Sequence, residues 1–351
     1  MVMTYINDAL WLPKRGGDLT VGSSTYTAPK PGEVVVRTRA VAVNFVDAMP
    51  GFAYRFVLPW LSFPAVIGSD VAGEIVEIGA GVTRLHIGDR VVAHAAGTEK
   101  SRNTSAEGAF QDYVVLMAHM VAPLPDSLPF EQAAVLPLAI STASCGLFQK
   151  DQLALALPTA SPANRNETVL VWGGSTSVGV NAIQLARNAG YRVVATSSPK
   201  HFDWLRSLGA SVVIDRSSSD VVDELVAAIG HQPLAGVLAI GAGSLPPSIE
   251  IAARMPGAKR VSSAHPTPIT NVRARLARRR GVTVSTIWGG TLKDNEVGPA
   301  IYCDFLPAAL ASGAYRAEPV ATVVGDGLTS IPAALDRLRE GISATKLVVR
   351  I

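Results

Sequence analysis

The run Gly173-Gly174-Ser175-Thr176-Ser177-Val178-Gly179 gathers the residue types that hold a phosphate. Glycines let the backbone turn tightly. A helix opening near Val178 would aim unpaired N–H groups and the positive end of its dipole at that turn. Ser175, Thr176 and Ser177 add hydroxyl donors, and Gly179 would let the helix lie close to the strand before it. The spacing is one residue longer than G-x-G-x-x-G, with Ser177 where a glycine is expected. A glycine turn alone is a weak sign, because a ligand-free strand-to-helix turn reads the same way.

The flanks strengthen it. Residues 169–172 form a short β-branched apolar run suited to a buried strand. A helical pattern carried by Val180, Ile183, Gln184 and residues 186–189 stops at Gly190, and residues 191–196 form a second apolar strand. Strand, glycine turn, helix and strand make the βαβ unit of a doubly wound sheet, which binds a dinucleotide. NAD sites usually place Asp or Glu at the end of the second strand. This one ends Thr196-Ser197-Ser198-Pro199-Lys200, with no acid until Asp203. Hydroxyls on Ser197 and Ser198, with Lys200 and with Arg216 after the third strand, suit a 2′-phosphate and so NADPH. The bland alternative makes both cations solvated surface residues. Ile240, closing a strand over residues 236–240, completes the expected cofactor-binding set.

A chain of 351 residues is long for one domain. Residues 1–14 lack a basic start with an apolar core, so no signal peptide is expected. No run of eighteen apolar residues occurs, which argues against a membrane span. The basic cluster at residues 273–280 has no interleaved aromatics, and reads as a solvated helix face rather than a nucleic-acid surface. Cys145 and Cys303 cannot make a disulfide framework, which suits a reducing cytoplasm.

Residues 33–44 alternate as a half-buried strand, and residues 71–78, 90–93 and 110–116 look like further short strands between glycine turns. That pattern, with no clear helix, predicts a small β-barrel or sandwich over about the first 120 residues. Helices follow from residue 129. After the central unit, strands at 212–214, 236–240, 260–263 and 282–288 alternate with helices. The expected fold is therefore α/β, a β-barrel domain of residues 1–126 and 290–351 plus a doubly wound, Rossmann-type parallel-sheet domain of residues 127–289.

Over essentially its whole length the chain resembles the medium-chain dehydrogenase/reductase family. The likeness rests on AVAVNFVD (40–47), FPAVIGSDVAGEIVEIGAGVTRLHIGDRVVA (63–93), GAFQDYVV (108–115), AISTAS (139–144) and the central turn. VWGGSTSVGVNAIQLA and the C-terminal SATKLVVRI look most like the zinc-free branch of quinone oxidoreductases and trans-acting enoyl reductases. The resemblance implies a GroES-like catalytic domain beside the cofactor domain. Zinc-dependent relatives carry ligands where Asn44, the Gly68-Ser69-Asp70 turn and Leu138 stand, and the loop 97–107 lacks the four cysteines of a structural zinc. Six scattered histidines show no ligand spacing and read mostly as surface or capping residues, so no metal is expected.

The resemblance also implies that Asn44 and Thr142 contact the nicotinamide and ribose. Asn44 is otherwise a turn residue after a strand, and Asp47 either orients the site or caps the next helix. Tyr54 stands roughly where related enoyl reductases place a catalytic tyrosine, although Phe52 and Phe56 beside it also suit a hydrophobic lid. Trp60, Phe63, Trp288 and Tyr302 are candidate pocket walls, with core packing as the default. The implied activity is NADPH-dependent reduction of an activated C=C bond in a small or carrier-tethered enone or enoyl thioester. Quinone reduction and a non-catalytic NADPH-binding scaffold or sensor are the alternatives. The resemblance admits a homodimer through strand 282–288 as well as a monomer.

Overall fold

The computed structural model describes residues 6–351 apart from 266 and 268. Part of the opening read above as free of a signal peptide thus lies outside the described residues. In chain order the strands of the first stretch are β1 (Asn7–Leu12), β2 (Thr20–Ser24), β3 (Glu33–Ala42), β4 (Ala65–Val66), β5 (Asp70–Ile78), β6 (Arg90–His94), β7 (Tyr113–Met117) and β8 (Val121–Pro123). The middle holds β9 (Thr168–Trp172), β10 (Arg192–Ser197), β11 (Val212–Asp215), β12 (Leu234–Ala239), β13 (Arg260–Ser263) and β14 (Thr283–Thr286). The end holds β15 (Ala321–Asp326) and β16 (Lys346–Arg350).

Two compact units result: Met1–Leu138 with Tyr302–Ala311 and Ala317–Ile351, and Ala139–Ile301 with Ser312–Arg316. The first is β-rich, with one sheet in the order β15-β16-β3-β5-β6-β8, β7 pairing with β3, and a smaller sheet β2-β1-β4. β3 is central rather than half-buried. Strands flank it on both sides, and Val34, Val35 and Val36 are all shielded, so both of its faces are covered here. Only Arg37 and Arg39 emerge, and both meet Glu74 on β5. The loop 97–107 is closed by Arg102, whose Nε donates to Glu107 at 2.8 Å while the guanidinium also meets Glu33. β1 and β2 were not among the strands expected from the sequence. Asn7 in β1 is buried through a hydrogen bond to Gln111 at 3.1 Å, so a polar residue occupies an inward position.

The second unit is a six-stranded parallel sheet in the order β11-β10-β9-β12-β13-β14. Numbered within the sheet this is 3-2-1-4-5-6, the doubly wound order with its switch point beside the first strand. Its core brings Leu170, Val194, Val237 and Val261 from the strands against Leu225, Ile249 and Ile251 from the helices.

The division falls elsewhere than at residues 126/127 and 289/290. The helix Phe130–Ala133 stays with the first unit, since Gln132 donates to the Ala317 and Pro319 carbonyls and accepts from the Ala321 amide. Residues 290–301 stay with the second, where the Gln149 side chain donates to Thr291 at 2.8 Å and Lys150 pairs with Glu296 at 2.7 Å. The strap 312–316 returns to the second unit for a polar reason. The helix Ser177–Asn188 buries Asn181, Gln184 and Asn188 on one face. These bind the Tyr315 hydroxyl, both backbone groups of Arg316 and the Ala314 carbonyl. Gln184→Met should remove two of those bonds and leave the Arg316 amide and carbonyl unmatched. Chemical denaturation should register a loss of about 1–3 kcal/mol; no change would mean that water replaces the side chain.

Candidate functional site

In the cofactor-type unit every residue of β9 is buried, so the chain leaves the sheet interior abruptly at Gly173. Gly173 has a φ of +88°, and a Cβ there would stand 2.8 Å from the Ile240 carbonyl oxygen. Ile240 thus borders the turn, its own amide donating to Trp172 at 3.1 Å. The Thr176 hydroxyl donates to the Gly173 carbonyl at 2.8 Å and accepts the Gly179 amide at 3.0 Å. It is the N-cap, and the helix begins at Ser177. A Cβ on Gly179 would sit 2.3 Å from the Gly173 oxygen, so the tight approach expected of that glycine is real.

Two assignments change as a result. The Thr176 hydroxyl is committed to closing the turn and is no phosphate donor. The Gly174 amide is likewise committed, donating to the Thr196 carbonyl at 2.8 Å. The Ser177 and Val178 amides, at the mouth of the helix, are its first two and precede any i→i−4 bond.

Beyond the mouth, β10 delivers Ser197 almost fully buried, and its hydroxyl has no hydrogen-bond partner among the described residues. An orphaned donor at the end of the second strand fits a cofactor ribose or its phosphate. Ser198 is half-buried and Lys200 exposed. Arg216 lies on the neighbouring strand end, its amide donating to the Ser197 carbonyl at 3.0 Å. Partial burial, then the charges of Lys200 and Arg216, hold His201 below its usual pKa. Asp203 pairs outward with Arg206, and the Asp215 carboxylate is taken up by Ser217. Thr142 lies on the helix Pro137–Phe148, its hydroxyl 2.7 Å from where a Cβ on Gly289 would be.

The β-rich unit holds a second cluster. β3 runs antiparallel to both β5 and β16, with Ala42 opposite Asp70 and Val348. The end of β3 thus meets the starts of its two neighbours, bringing Asn44, Asp70 and Lys346 together. Asn44 donates from Nδ2 to Asp70 at 2.9 Å and accepts from the Lys346 ammonium through Oδ1. Lys346 pairs with Asp70 at 2.9 Å, and the other Asp70 oxygen accepts the Leu138 amide at 2.6 Å. Sequence reading singled out Asn44 but assigned no role to Lys346. His94, expected near the surface, is buried as the register partner of Asp70.

Asp47 accepts the Asn44 backbone amide at 2.9 Å, closing a turn rather than capping a helix. Burial pushes its carboxyl up to about 7, aided by the Asp70 charge and opposed by that hydrogen bond and by Lys346. Tyr54 is buried, with its hydroxyl 3.5 Å from the Asp47 carbonyl. Burial and then the Asp47 charge raise its pKa, and its ring packs edge-on against Phe63. Among the expected pocket walls, Tyr302 is core, fully buried and bonded to the Pro137 carbonyl at 2.9 Å. Trp60 is half-buried and donates to the Thr98 carbonyl at 2.9 Å, while Phe63 and Trp288 are also half-buried.

A β-rich unit with a doubly wound parallel-sheet unit defines a two-domain oxidoreductase fold that binds a nicotinamide cofactor. Residues 30–126 match the model of the alcohol dehydrogenase GroES-like domain, and residues 177–301 that of zinc-binding dehydrogenases. The chain is 45% identical to "Dehydrogenase azaJ" of Aspergillus niger, over 98% of this chain and 99% of that protein. It is 37% identical to "Trans-enoyl reductase himH" of Aspergillus japonicus, over 99% and 98%. The crystal structure of CurK enoyl reductase, 21% identical over 98% and 99%, shares the fold with a TM-score of 0.75. The chain belongs to the medium-chain dehydrogenase/reductase family of oxidoreductases, in its enoyl reductase-like branch. No helix among the described residues is long and apolar enough to cross a membrane.

Zinc, implied by the second family model, does not fit the donor set around Asn44. An amide, a carboxylate already bound to a backbone N–H, and a lysine ammonium offer no closed group of ligands, and the ammonium would repel a dication. Among the described residues no group of three or more His, Cys, Asp and Glu could hold a metal ion.

The raised Asp47 pKa has a stability consequence. The folded state keeps a proton up to about pH 7, whereas the unfolded carboxyl loses it near 3.8. Because the folded form binds more protons across that window, stability should fall as pH rises from about 4 to 7. Asp47→Asn should flatten this fall and raise stability at pH 8 relative to wild type. Urea denaturation at pH 5 and pH 8 checks it, and an unchanged slope would refute it.

Proposed function

We propose that this protein is an NADPH-dependent reductase of C=C bonds conjugated to a carbonyl, in an enone or an enoyl thioester, acting without zinc. The observation that carries this reading is the chemistry around Asn44, an amide gripped by a carboxylate and an ammonium where a Lewis acid has no ligands. Taking hydride from an alcohol requires a group that polarises its oxygen, a role suited to a metal. Reducing an alkene already polarised by a carbonyl requires only donors for the developing oxyanion. The name borne by the Aspergillus japonicus relative supports the enoyl class.

The nicotinamide, when bound, supplies the hydride. The Ser177 and Val178 amides, with the Ser175 hydroxyl, hold the pyrophosphate against the positive end of the helix. Ser197, Ser198, Lys200 and Arg216 receive the 2′-phosphate through charge-assisted hydrogen bonds. Asn44 and Thr142 serve the nicotinamide end. The final proton comes from a side chain, with Tyr54 the candidate, or from water. The acceptor is a small molecule or a carrier-tethered acyl chain. Free thiols at Cys145 and Cys303 suit the cytoplasmic setting we assign.

The test is oxidation of NADPH by 2-enoyl thioesters and, in parallel, by a panel of quinones. Turnover on the thioesters is expected. Turnover on quinones alone would make the protein a quinone reductase. Tight NADPH binding with no turnover on either would make it a scaffold or sensor, and stoichiometric zinc in the purified protein would overturn metal-free catalysis. A separate measurement addresses the nucleotide. Lys200→Ala with Arg216→Ala should raise the KM for NADPH roughly tenfold or more and leave that for NADH within about twofold, since bonds to a charged group contribute about 1.5–3 kcal/mol. Equal effects on both nucleotides would remove the 2′-phosphate from the account.

A further inference from the structure

Lys346 and Asp70 form a buried ion pair, with side chains 5% and 0% exposed. Such a pair is poor evidence of stabilisation, because removing two charges from water costs about as much as their attraction returns. The partners of this pair are more informative. Each charge also contacts the Asn44 side chain: Asp70 accepts from its Nδ2, and Lys346 donates to its Oδ1. Turning the amide over would set its N–H groups against the ammonium and its oxygen against the carboxylate, so one orientation is enforced. The backbone is pinned as well, through the Asn44 amide on Asp47. Of the three side chains, Asn44 keeps the most surface, at 9% against 4% for Lys346 and none for Asp70.

We propose that Lys346 and Asp70 are positioning residues whose role is to hold the Asn44 amide in a single orientation relative to cofactor or substrate. The proposal rests on the reading that Asn44 serves the nicotinamide end. It adds a determinant 302 positions away in sequence, on another strand. Asp70 is fixed in turn by the Leu138 amide, so the orientation passes from backbone to carboxylate to amide. Neither charged group need touch the reacting atoms.

The variants are Lys346→Met, Lys346→Arg, the doubly neutral Asp70→Asn/Lys346→Met and Asn44→Ala, each in the full chain. The doubly neutral variant guards against an isolated buried carboxylate that unfolds the single variant. The first readout needs no turnover. Crystal structures should show the Asn44 side chain displaced or in two orientations in Lys346→Met or the doubly neutral variant, and restored in Lys346→Arg. An Asn44 amide unmoved in both neutral variants overturns the proposal.

The second readout is steady-state kinetics with NADPH and the accepted substrate. In Lys346→Met, kcat should fall roughly tenfold to a hundredfold, the scale of a misplaced positioning group. NADPH affinity should stay within about twofold, Lys346→Arg should recover most of kcat, and adding Lys346→Met to Asn44→Ala should cause no further loss. If Asn44→Ala lowers kcat while the folded neutral variants do not, positioning fails and the reading of Asn44 stands. If Asn44→Ala leaves kcat intact, that reading fails and takes the positioning role with it.

Discussion

One hydroxyl holds the cofactor unit's working end in place. Thr176 bonds to the carbonyl that ends β9 and to an amide in the first turn of the following helix, so strand and helix are joined at a fixed angle. A Cβ at Gly179 would break that closeness, and without it the first helical amides would not lie over the end of the sheet. Any attraction of the mouth for an anion, as proposed above, would belong to the backbone. Side chains build the mouth, and the polypeptide's own dipoles give it its charge.

The β-rich unit solves a different problem. At the ends of three of its strands a lysine ammonium is flanked by a carboxylate and an amide. A fixed protein cation cannot exchange ligands or bind water as zinc does, but it can hold neighbours rigidly. The cluster arises because three strands converge at one end of a sheet, each contributing the residue at or beside its terminus. Asp47 below it shows how closed the environment is, with its carboxyl pushed up to about 7 chiefly by loss of water.

Much of the doubly wound unit was legible because its signals are local. Each strand is an apolar run, and Gly190 closes its helix with a φ of +88° where a helix must end. Ser197 and Arg216 lie on neighbouring strand ends because β10 and β11 pair in the sheet. Thr176 was misassigned because a capping hydroxyl and a phosphate-binding hydroxyl are the same residue type at the same place. β1 escaped notice since its inward positions include Asn7, satisfied by the distant Gln111, and β2 because none of its residues is buried. Lys346 carried no local mark, since its meaning depends on Asn44 and Asp70, hundreds of residues earlier. The unit boundaries slipped for a similar reason, as Gln132 and Gln184 choose their sides by contacts that periodicity does not record.

The strap at 312–316 bears on how the protein comes into being. The helix that carries the amide mouth has three buried amide side chains whose partners are supplied by Ala314, Tyr315 and Arg316. A ribosome will have made the entire parallel sheet before those partners emerge from the exit tunnel. Until then the helix has its apolar face covered and its polar face open, so the nucleotide-holding half reaches its mature form only when synthesis is nearly over.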